Sequence, residues 1–226
     1  MNTRILQSLK VMIPPEGLKR FEAFVEGMRK DVYCPMSIEY AKYNSEYSVR
    51  LFLAATRIEF KGMKILEVGI GDGHVMEYFR DQGAIPIGIG FDQTSNEECK
   101  AKGLDVHIMD QSFMTFPDES FDLLWSQQCL EHSIMPFYTL HEYRRVLKPG
   151  ALAYIELPGS DNDNADKYTD DLNHYAVMSI NMWLSLMRRA KFKVRDHTFL
   201  DLVPIDRQDM KRSKLKQYSI ILKKEK

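Results

Sequence analysis

The sequence lacks several features that would assign it to a class of protein at once. No apolar run approaches the roughly 20 residues that a membrane-spanning helix needs. The start, MNTRILQSLKVMIPPEG, has neither the apolar core nor the small-residue cleavage site of a signal peptide. The net charge is only −1, which provides no overall attraction to nucleic acid or to an anionic membrane. We therefore expect a cytoplasmic protein that binds no membrane.

Cysteine is also scarce. The chain has three cysteines, Cys34, Cys99 and Cys129, which lie far apart. Their spacing fits neither a zinc site nor a disulfide framework, so we interpret them as reduced thiols. The sequence contains no internal repeat and no low-complexity linker, and its 226 residues are enough for one compact domain with a substantial core.

Short apolar runs alternate with helical patterns from residue 61 onward. The predicted strands are 63–68, 85–91, 105–109, 120–127 and 151–158, and the predicted helices are 74–82, 94–102, 137–147 and 179–190. This alternation predicts right-handed βαβ units, a doubly wound α/β fold and a mainly parallel sheet. Two β-rich runs at 192–201 and 218–224 follow, and no helical pattern separates them. We expect them to form an antiparallel hairpin, which gives a seven-stranded sheet.

The segment before the alternation is different. Residues 18–60 carry apolar residues near the helical period of 3.6, with prolines that divide the segment. We predict that residues 1–60 form an N-terminal helical cap or lid and that residues 61–226 form one compact α/β unit.

The first predicted strand runs into a glycine-rich loop, ILEVGIGDGH, at residues 65–74. Gly69 and Gly71 allow tight turning and close approach to a ligand, and Gly73 allows close packing at the helix start. The spacing is G-x-G-x-G, whereas a dinucleotide fingerprint is G-x-G-x-x-G. His74 occupies the last position of that fingerprint, which disfavours NAD.

Acidic residues lie at the ends of the first three predicted strands. Glu67 precedes the glycine loop, and Asp92 follows the second strand, where a carboxylate can accept hydrogen bonds from both hydroxyls of a ribose. Asp110 closes the third strand, beside Gln111 and Ser112, and is suited to the amino group of adenine. Three acids beside one glycine loop favour a nucleoside that carries little negative charge, because a pyrophosphate prefers basic partners.

With these motifs, residues 61–195 resemble the class I S-adenosylmethionine-dependent methyltransferases, the seven-stranded Rossmann-like group. The stretches that carry the resemblance are ILEVGIGDG, GFD, FPDESFDLLWSQQCLEH and RRVLKPGALAYIELP, together with the strand end at Asp110. The resemblance implies S-adenosylmethionine as the cofactor. It also implies the residues that bind it: Glu67, Gly69, Gly71 and Gly73 at the methionine end, Asp92 or its neighbour Gln93 at the ribose, Asp110 with Gln111 or Ser112 at the adenine, and Ser126 and Gln127 near the sulfonium.

Two histidines are candidates for the chemistry. His132, in CLEH after the fourth strand, and His174, in DLNHY after the fifth, are placed to act as a base toward an acceptor hydroxyl or to contact the acceptor. The polar loop at 159–175 is rich in Asp and Asn, which suits a small, sugar-like acceptor. Its opening resembles a calcium loop, but the pattern then fails, so we predict no metal site.

Several alternatives remain open from the sequence. They are methylation of nitrogen or carbon in another small molecule, an NAD-dependent oxidoreductase, and a non-catalytic cofactor-binding module. A basic cluster at 207–216 raises nucleic acid as a target. No aromatic residue interrupts that cluster, however, and no Asn/Asp-Pro-Pro-aromatic motif follows the fourth strand, so we expect a small-molecule acceptor. The sequence does not predict an oligomeric state.

Overall fold

The computed structural model describes residues 15–29, 38–160, 174–202 and 215–225. The helices are α1 (Pro15–Arg29), α2 (Ile38–Thr56), α3 (His74–Asp81), α4 (Gln93–Ala101), α5 (Pro136–Val146) and α6 (Ile180–Arg189), with a short 3-10 helix at Leu130–His132. The strands are β1 (Lys64–Val68), β2 (Ile85–Gly90), β3 (Asp105–Ile108), β4 (Phe121–Gln127), β5 (Leu147–Pro158), β6 (Phe192–Leu202) and β7 (Leu215–Lys224). Within these ranges no helix is both long and apolar enough to cross a bilayer.

The chain divides into two compact units, residues 1–34 and residues 35–226. The first unit contains α1, which starts at a proline and carries Glu16 in its first turn, where the helix dipole favours an acid. The second unit contains every other element, including α2. The lid role predicted for residues 1–60 stays a prediction.

The second unit is built on a seven-stranded sheet with the order β3-β2-β1-β4-β5-β7-β6. Strands β1 to β5 are parallel, and β7 runs antiparallel to both β5 and β6. The predicted fold and its C-terminal hairpin are confirmed. The strand order reverses between β1 and β4, and the crevice beyond the carboxyl ends of strands at such a switch point is where ligands bind in sheets of this kind.

The central strands are buried on both faces. Ile65 and Leu66 of β1, and Leu124 and Trp125 of β4, have no exposed surface. Trp125 stacks on Tyr154 of β5, with ring centroids 3.9 Å apart. Burial of each such side chain stabilises the fold by about 1.5–3 kcal/mol, which holds the strand ends of the crevice in fixed positions.

The largest departure from a predicted strand boundary is at the start of β5. The sequence Lys148-Pro149-Gly150 predicts a turn between α5 and the fifth strand, but β5 already begins at Leu147. Leu147 pairs with Phe121 of β4, and the register then shifts before Leu152 pairs with Leu123. Gly150, at φ +84°, lies within this irregularity, so a sequence typical of a turn here forms a bulge in a long strand.

Candidate functional site

The glycine loop joins β1 to α3 at the switch point. Gly69, Gly71 and Gly73 all have positive φ, at +84°, +45° and +79°. A Cβ on Gly69 would lie 2.9 Å from Cβ and Sγ of Cys129, and a Cβ on Gly73 would lie 2.8 Å from Sγ of Cys99. A Cβ on Gly71 would meet no heavy atom of the described residues within 4 Å. Protein atoms therefore fill the space beside the outer glycines, and the space at Gly71 remains open to a ligand.

Glu67 is the second-to-last residue of β1 and precedes the glycine loop by two residues. Its side chain is only 4% exposed. Burial raises the pKa of Glu67 well above its usual value, and a hydrogen bond from the backbone N–H of Met76 offsets part of that rise. Its Oε2 has no hydrogen-bond partner among the described residues. A buried acceptor in this position fits a cationic group such as the α-ammonium of S-adenosylmethionine.

Asp92 follows β2 and forms the N-cap of α4. Its Oδ2 accepts a hydrogen bond of 2.6 Å from the backbone N–H of Ser95. This cap uses one carboxylate oxygen, and the predicted contact with a ribose would use the other, Oδ1. Gln93 is exposed on the first turn of α4 and donates to Oε1 of Glu97 over 2.8 Å.

Asp110 follows β3 and is half-buried at the same edge of the sheet. Its Oδ1 accepts a hydrogen bond of 2.7 Å from the backbone N–H of Ser112. The Ser112 hydroxyl points inward and lies 2.7 Å from Thr139 Oγ1 of α5. The side chain of Ser112 thus ties the loop after β3 to α5, and the carboxylate of Asp110 stays at the rim.

Gln111 connects the loops that follow β3 and β4. Its Nε2 donates to the backbone oxygen of Cys129 over 2.9 Å, and its Oε1 accepts from the Tyr143 hydroxyl over 2.6 Å. The Tyr143 hydroxyl also lies 3.2 Å from Oγ of Ser126. Burial raises the pKa of Tyr143 well above its usual value, so this hydroxyl remains protonated and holds the two loops together.

Gln127, the last residue of β4, meets polar side chains from α2. Its Oε1 accepts a hydrogen bond of 3.2 Å from Ser45, and its Nε2 lies 3.3 Å from Ser48 Oγ and 3.2 Å from Glu156 Oε1. Gln128 follows with φ +49°, a conformation that costs energy in any residue but glycine. The Nε2 of Gln128 is buried without a hydrogen-bond partner among the described residues, so a donor lies at this end of β4.

Glu156 in β5 is a functional candidate that the sequence prediction missed. It is fully buried and accepts hydrogen bonds from Asn44 Nδ2 at 3.0 Å and the Tyr154 hydroxyl at 2.7 Å, as well as from Ser48. Burial raises the pKa of Glu156, and these hydrogen bonds partly offset the rise. The signal in the sequence was an acid inside the apolar run ALAYIELP, where an unpaired carboxylate would be costly.

The two candidate histidines come together. The ring centroids of His132 and His174 lie 4.9 Å apart, with their planes at 56°. His132 ends the 3-10 helix after β4, and His174 precedes α6. A backbone hydrogen bond of 3.0 Å from Ala176 N to Glu131 O joins the two segments. Glu131 itself is fully buried, and it offers a carboxylate oxygen within 4.8 Å of a nitrogen on each ring.

Two cysteines flank the glycine loop without being reactive. Burial raises the pKa of Cys99 to about 11 and that of Cys129 still further. Because of these raised pKa values, both cysteines remain thiols at neutral pH. Nucleophilic attack needs a thiolate, so neither cysteine is reactive here. Cys34, the acidic residues at 161–173 and the basic residues at 207–214 lie outside the described residues.

Comparison with known proteins gives a consistent picture. Residues 66–155, from β1 to β5, match the family model described as "Methyltransferase domain". A Mycolicibacterium smegmatis protein named "Probable S-adenosylmethionine-dependent methyltransferase" is 25% identical over 139 residues, which cover 60% of this chain and 54% of that protein. A ubiquinone biosynthesis O-methyltransferase of Coxiella burnetii is 26% identical over 47% of this chain and 48% of its own length. The chain thus spans about half the length of these two relatives.

The fold is also found among solved structures. A chain from the Haloferax volcanii complex that contains the Trm112 methyltransferase activator superposes with a TM-score of 0.70. The match covers 82% of this chain and 92% of that one, at 17% sequence identity. At this identity the likeness establishes the fold, and the chemistry must be argued from the site.

Proposed function

We propose that this chain is a class I S-adenosylmethionine-dependent methyltransferase that methylates an oxygen of a small hydroxylated, sugar-like acceptor. The match of residues 66–155 to a methyltransferase-domain model supports the methyltransferase part of the proposal. S-adenosylmethionine is the cofactor of this family. The observation that carries the cofactor part of the proposal is the buried Glu67 carboxylate, whose Oε2 lacks a hydrogen-bond partner among the described residues. The open space at Gly71 lies four residues further along the same strand and loop. The amino-acid end of S-adenosylmethionine carries an α-ammonium group that can donate to Glu67 Oε2, and it is small enough for the open space at Gly71.

The residues that would hold the cofactor follow consecutive strands of the sheet. We assign the methionine end to Glu67 and the glycine loop, the ribose to Asp92, and the adenine side to Asp110. Ser126 and Gln127, at the end of β4, lie on the sulfonium side. When bound, S-adenosylmethionine supplies a methyl group that is already activated on its sulfonium, so the chain need not activate a leaving group.

The preference for a hydroxylated acceptor rests on the polar wall beside Gln127. Ser45 of helix α2 donates to Gln127 Oε1, and Gln127 Nε2 donates to Ser48 of the same helix and to the buried Glu156. Hydroxyl, amide and carboxyl groups both donate to and accept from a polyhydroxylated molecule. Similarity to an O-methyltransferase of Coxiella burnetii supports transfer to oxygen.

The chain's part in the reaction is to orient the acceptor and to remove its proton. His132 and His174 lie together at the ligand edge of the sheet and are half-buried, so they can contact an acceptor that approaches from solvent. We assign to this pair the task of promoting loss of the proton from the acceptor hydroxyl. Alignment of the nucleophile with the transferred group is the larger contribution of such a site, because it replaces a random encounter by a fixed geometry.

The test combines binding and product analysis. Titration calorimetry should detect binding of S-adenosylmethionine and none of NAD. Incubation with isotope-labelled cofactor across sugars, nucleosides, phenols and amines should label hydroxylated acceptors, and NMR of the product should place the methyl on oxygen. Labelled amines alone would overturn the oxygen assignment. Cofactor binding without any product would favour a non-catalytic module.

Variants locate the acceptor side. His132→Ala and His174→Ala should lower the rate while cofactor affinity is retained. His141→Ala is the matched control, because His141 is exposed on α5 and its ring contacts Phe137 at 4.8 Å. An unchanged rate in His132→Ala or His174→Ala would remove that residue from the site.

A further inference from the structure

The histidine pair has a third member that the proposed function leaves unused. Glu131, His132 and His174 each place one possible metal-ligand atom so that all three atoms lie within 4.8 Å of one another. Among the described residues, no other group of three histidine, cysteine or acidic side chains brings its possible ligand atoms this close together. The three come from two segments of chain, the 3-10 helix and the approach to α6, which are joined by the backbone hydrogen bond between Ala176 and Glu131.

The burial of the three side chains is unequal. Glu131 is fully buried, whereas both histidines are half-buried. A carboxylate deep in the protein requires a compensating positive charge, since its desolvation is costly. One protonated imidazole would be enough for an ion pair. Two imidazole nitrogens and one carboxylate oxygen within 4.8 Å of one another provide more ligand atoms than a single ion pair uses, and together they suit a cation that all three groups share.

We propose that Glu131, His132 and His174 form a binding site for one divalent transition-metal ion on the acceptor side of the cofactor pocket. Two imidazole nitrogens and one carboxylate oxygen are the ligand set of many catalytic zinc sites, which keep a further position open. Ligands about 2.1 Å from one ion lie at most about 4.2 Å apart. In the tetrahedral arrangement typical of zinc, ligand atoms lie about 3.4 Å apart, so side-chain rotations must bring these three atoms, now within 4.8 Å of one another, closer by up to about 1.4 Å.

The ligand set also selects the ion. Imidazole nitrogen favours Zn²⁺, Co²⁺ and Fe²⁺, whereas Mg²⁺ and Ca²⁺ prefer sites made of oxygen atoms alone. The half-buried histidines leave one side of the site open to solvent. A ligand from outside the protein can therefore complete the coordination.

The catalytic role of the ion rests on the proposed function, whereas the presence of the metal site does not depend on it. An acceptor hydroxyl that binds the open position of the ion would lose its proton more easily, because the cation stabilises the alkoxide. The proton passes to solvent, and the two imidazoles act as ligands to the ion. No change of oxidation state is needed, so the ion serves as a Lewis acid.

The first test measures the ion itself. The purified full chain is stripped with a chelator, dialysed against Co²⁺ and then against Zn²⁺, and its metal content is determined by mass spectrometry. We expect one ion per chain and visible Co²⁺ absorption bands that Zn²⁺ abolishes and excess Mg²⁺ does not. Absence of Co²⁺ binding overturns the inference.

The second test uses variants. His174→Ala and Glu131→Gln should each weaken Co²⁺ binding by at least about tenfold. His141→Ala should bind as the unmodified chain does. Glu131 is fully buried and its replacement can impair folding, whereas His174 is half-buried, so His174→Ala keeps the test decisive. Equal Co²⁺ binding by the unmodified chain and by the His132→Ala/His174→Ala double variant would overturn the inference.

Failure of this inference can be told apart from failure of the proposed function. If the metal-stripped chain binds no Co²⁺ and methylates its acceptor at the full rate, the metal site is overturned and the proposed function stands. If Co²⁺ binds through these residues and no acceptor is methylated, the metal site is supported and the proposed function fails.

Discussion

Cys129 occupies the space that a side chain on Gly69 would need, since a Cβ there would lie 2.9 Å from both Cβ and Sγ of the cysteine. Gly69 directly follows β1 and Cys129 follows β4, so this contact joins the glycine loop to the segment after the neighbouring strand at the switch point. The glycine is required there by the protein's own packing. Among the three glycines of this loop, Gly71 is the one whose missing side chain leaves open space for a ligand.

Gly69→Ala should therefore destabilise the fold. The new methyl group would clash with Cys129, and the backbone at φ +84° is unfavourable for alanine, so we expect a loss of about 1–3 kcal/mol in the free energy of unfolding, measured with urea. Gly103→Ala is the matched control, because Gly103 has φ +74° and no heavy atom of the described residues within 4 Å of its Cβ position. Equal losses in the two variants would show that Cys129 imposes no constraint.

Much of the fold could be predicted from local patterns. A run such as MKILEV is apolar at nearly every position because β1 is buried on both faces, and that property is visible without any partner strand. The start of β5 could not be predicted in this way. Lys148-Pro149-Gly150 is typical of a turn, and only the pairing of Leu147 with Phe121 on another strand makes it part of the sheet.

The residues of the site also fall into those that local sequence patterns predict and those that depend on contacts between distant residues. Asp92 and Asp110 could be placed at one edge because the carboxyl ends of parallel strands meet there. Glu131 and Glu156 were missed, since their surroundings are formed by residues distant in the sequence, such as His174 for the first and Asn44 for the second. A buried acid inside an apolar run is the local signal that such contacts exist.

Replacement of Asp92 should separate its structural role from its proposed ribose contact. Asp92→Ala removes the N-cap of α4 and should cost about 1 kcal/mol of stability. It should also weaken binding of S-adenosylmethionine by about 1–3 kcal/mol, through loss of a charge-assisted hydrogen bond. Asp92→Asn preserves the cap, so its stability should be normal while its cofactor affinity falls. Calorimetric titration of both variants gives the affinities, and normal affinity in both would mean that another residue binds the ribose.

Cofactor binding should release a proton from Glu67. Burial raises the pKa of Glu67 in the free protein, so its carboxyl group stays protonated to a higher pH than usual. An ammonium group placed beside it favours the carboxylate, and the proton leaves. Calorimetry in two buffers of different ionisation enthalpy should then give different binding enthalpies at a pH below that raised pKa. The difference should vanish in Glu67→Gln and persist in Glu98→Gln, a replacement on the exposed face of α4. Buffer-independent enthalpies across the acid range would contradict the assignment of Glu67 to the ammonium.

Glu156 should make the stability of the fold depend on pH. Its pKa in the folded protein is raised by burial above the unfolded value of about 4.3, so the folded state retains a proton that the unfolded state loses. The free energy of unfolding should therefore fall as the pH rises from the unfolded pKa to the folded one. In Glu156→Gln this site cannot ionise, and its amide can donate to the hydroxyls of Ser48 and Tyr154, which accept as well as donate.

The stability of Glu156→Gln relative to the unmodified chain should consequently increase between about pH 4 and the folded pKa of Glu156, and then stay constant. Urea unfolding of both proteins at several pH values measures this difference, with Glu98→Gln on the exposed face of α4 as a surface control. A difference that does not change with pH would mean that Glu156 ionises equally in the folded and unfolded chains. Its four hydrogen-bond donors, Asn44, Ser48, Gln127 and Tyr154, would then fully offset its burial.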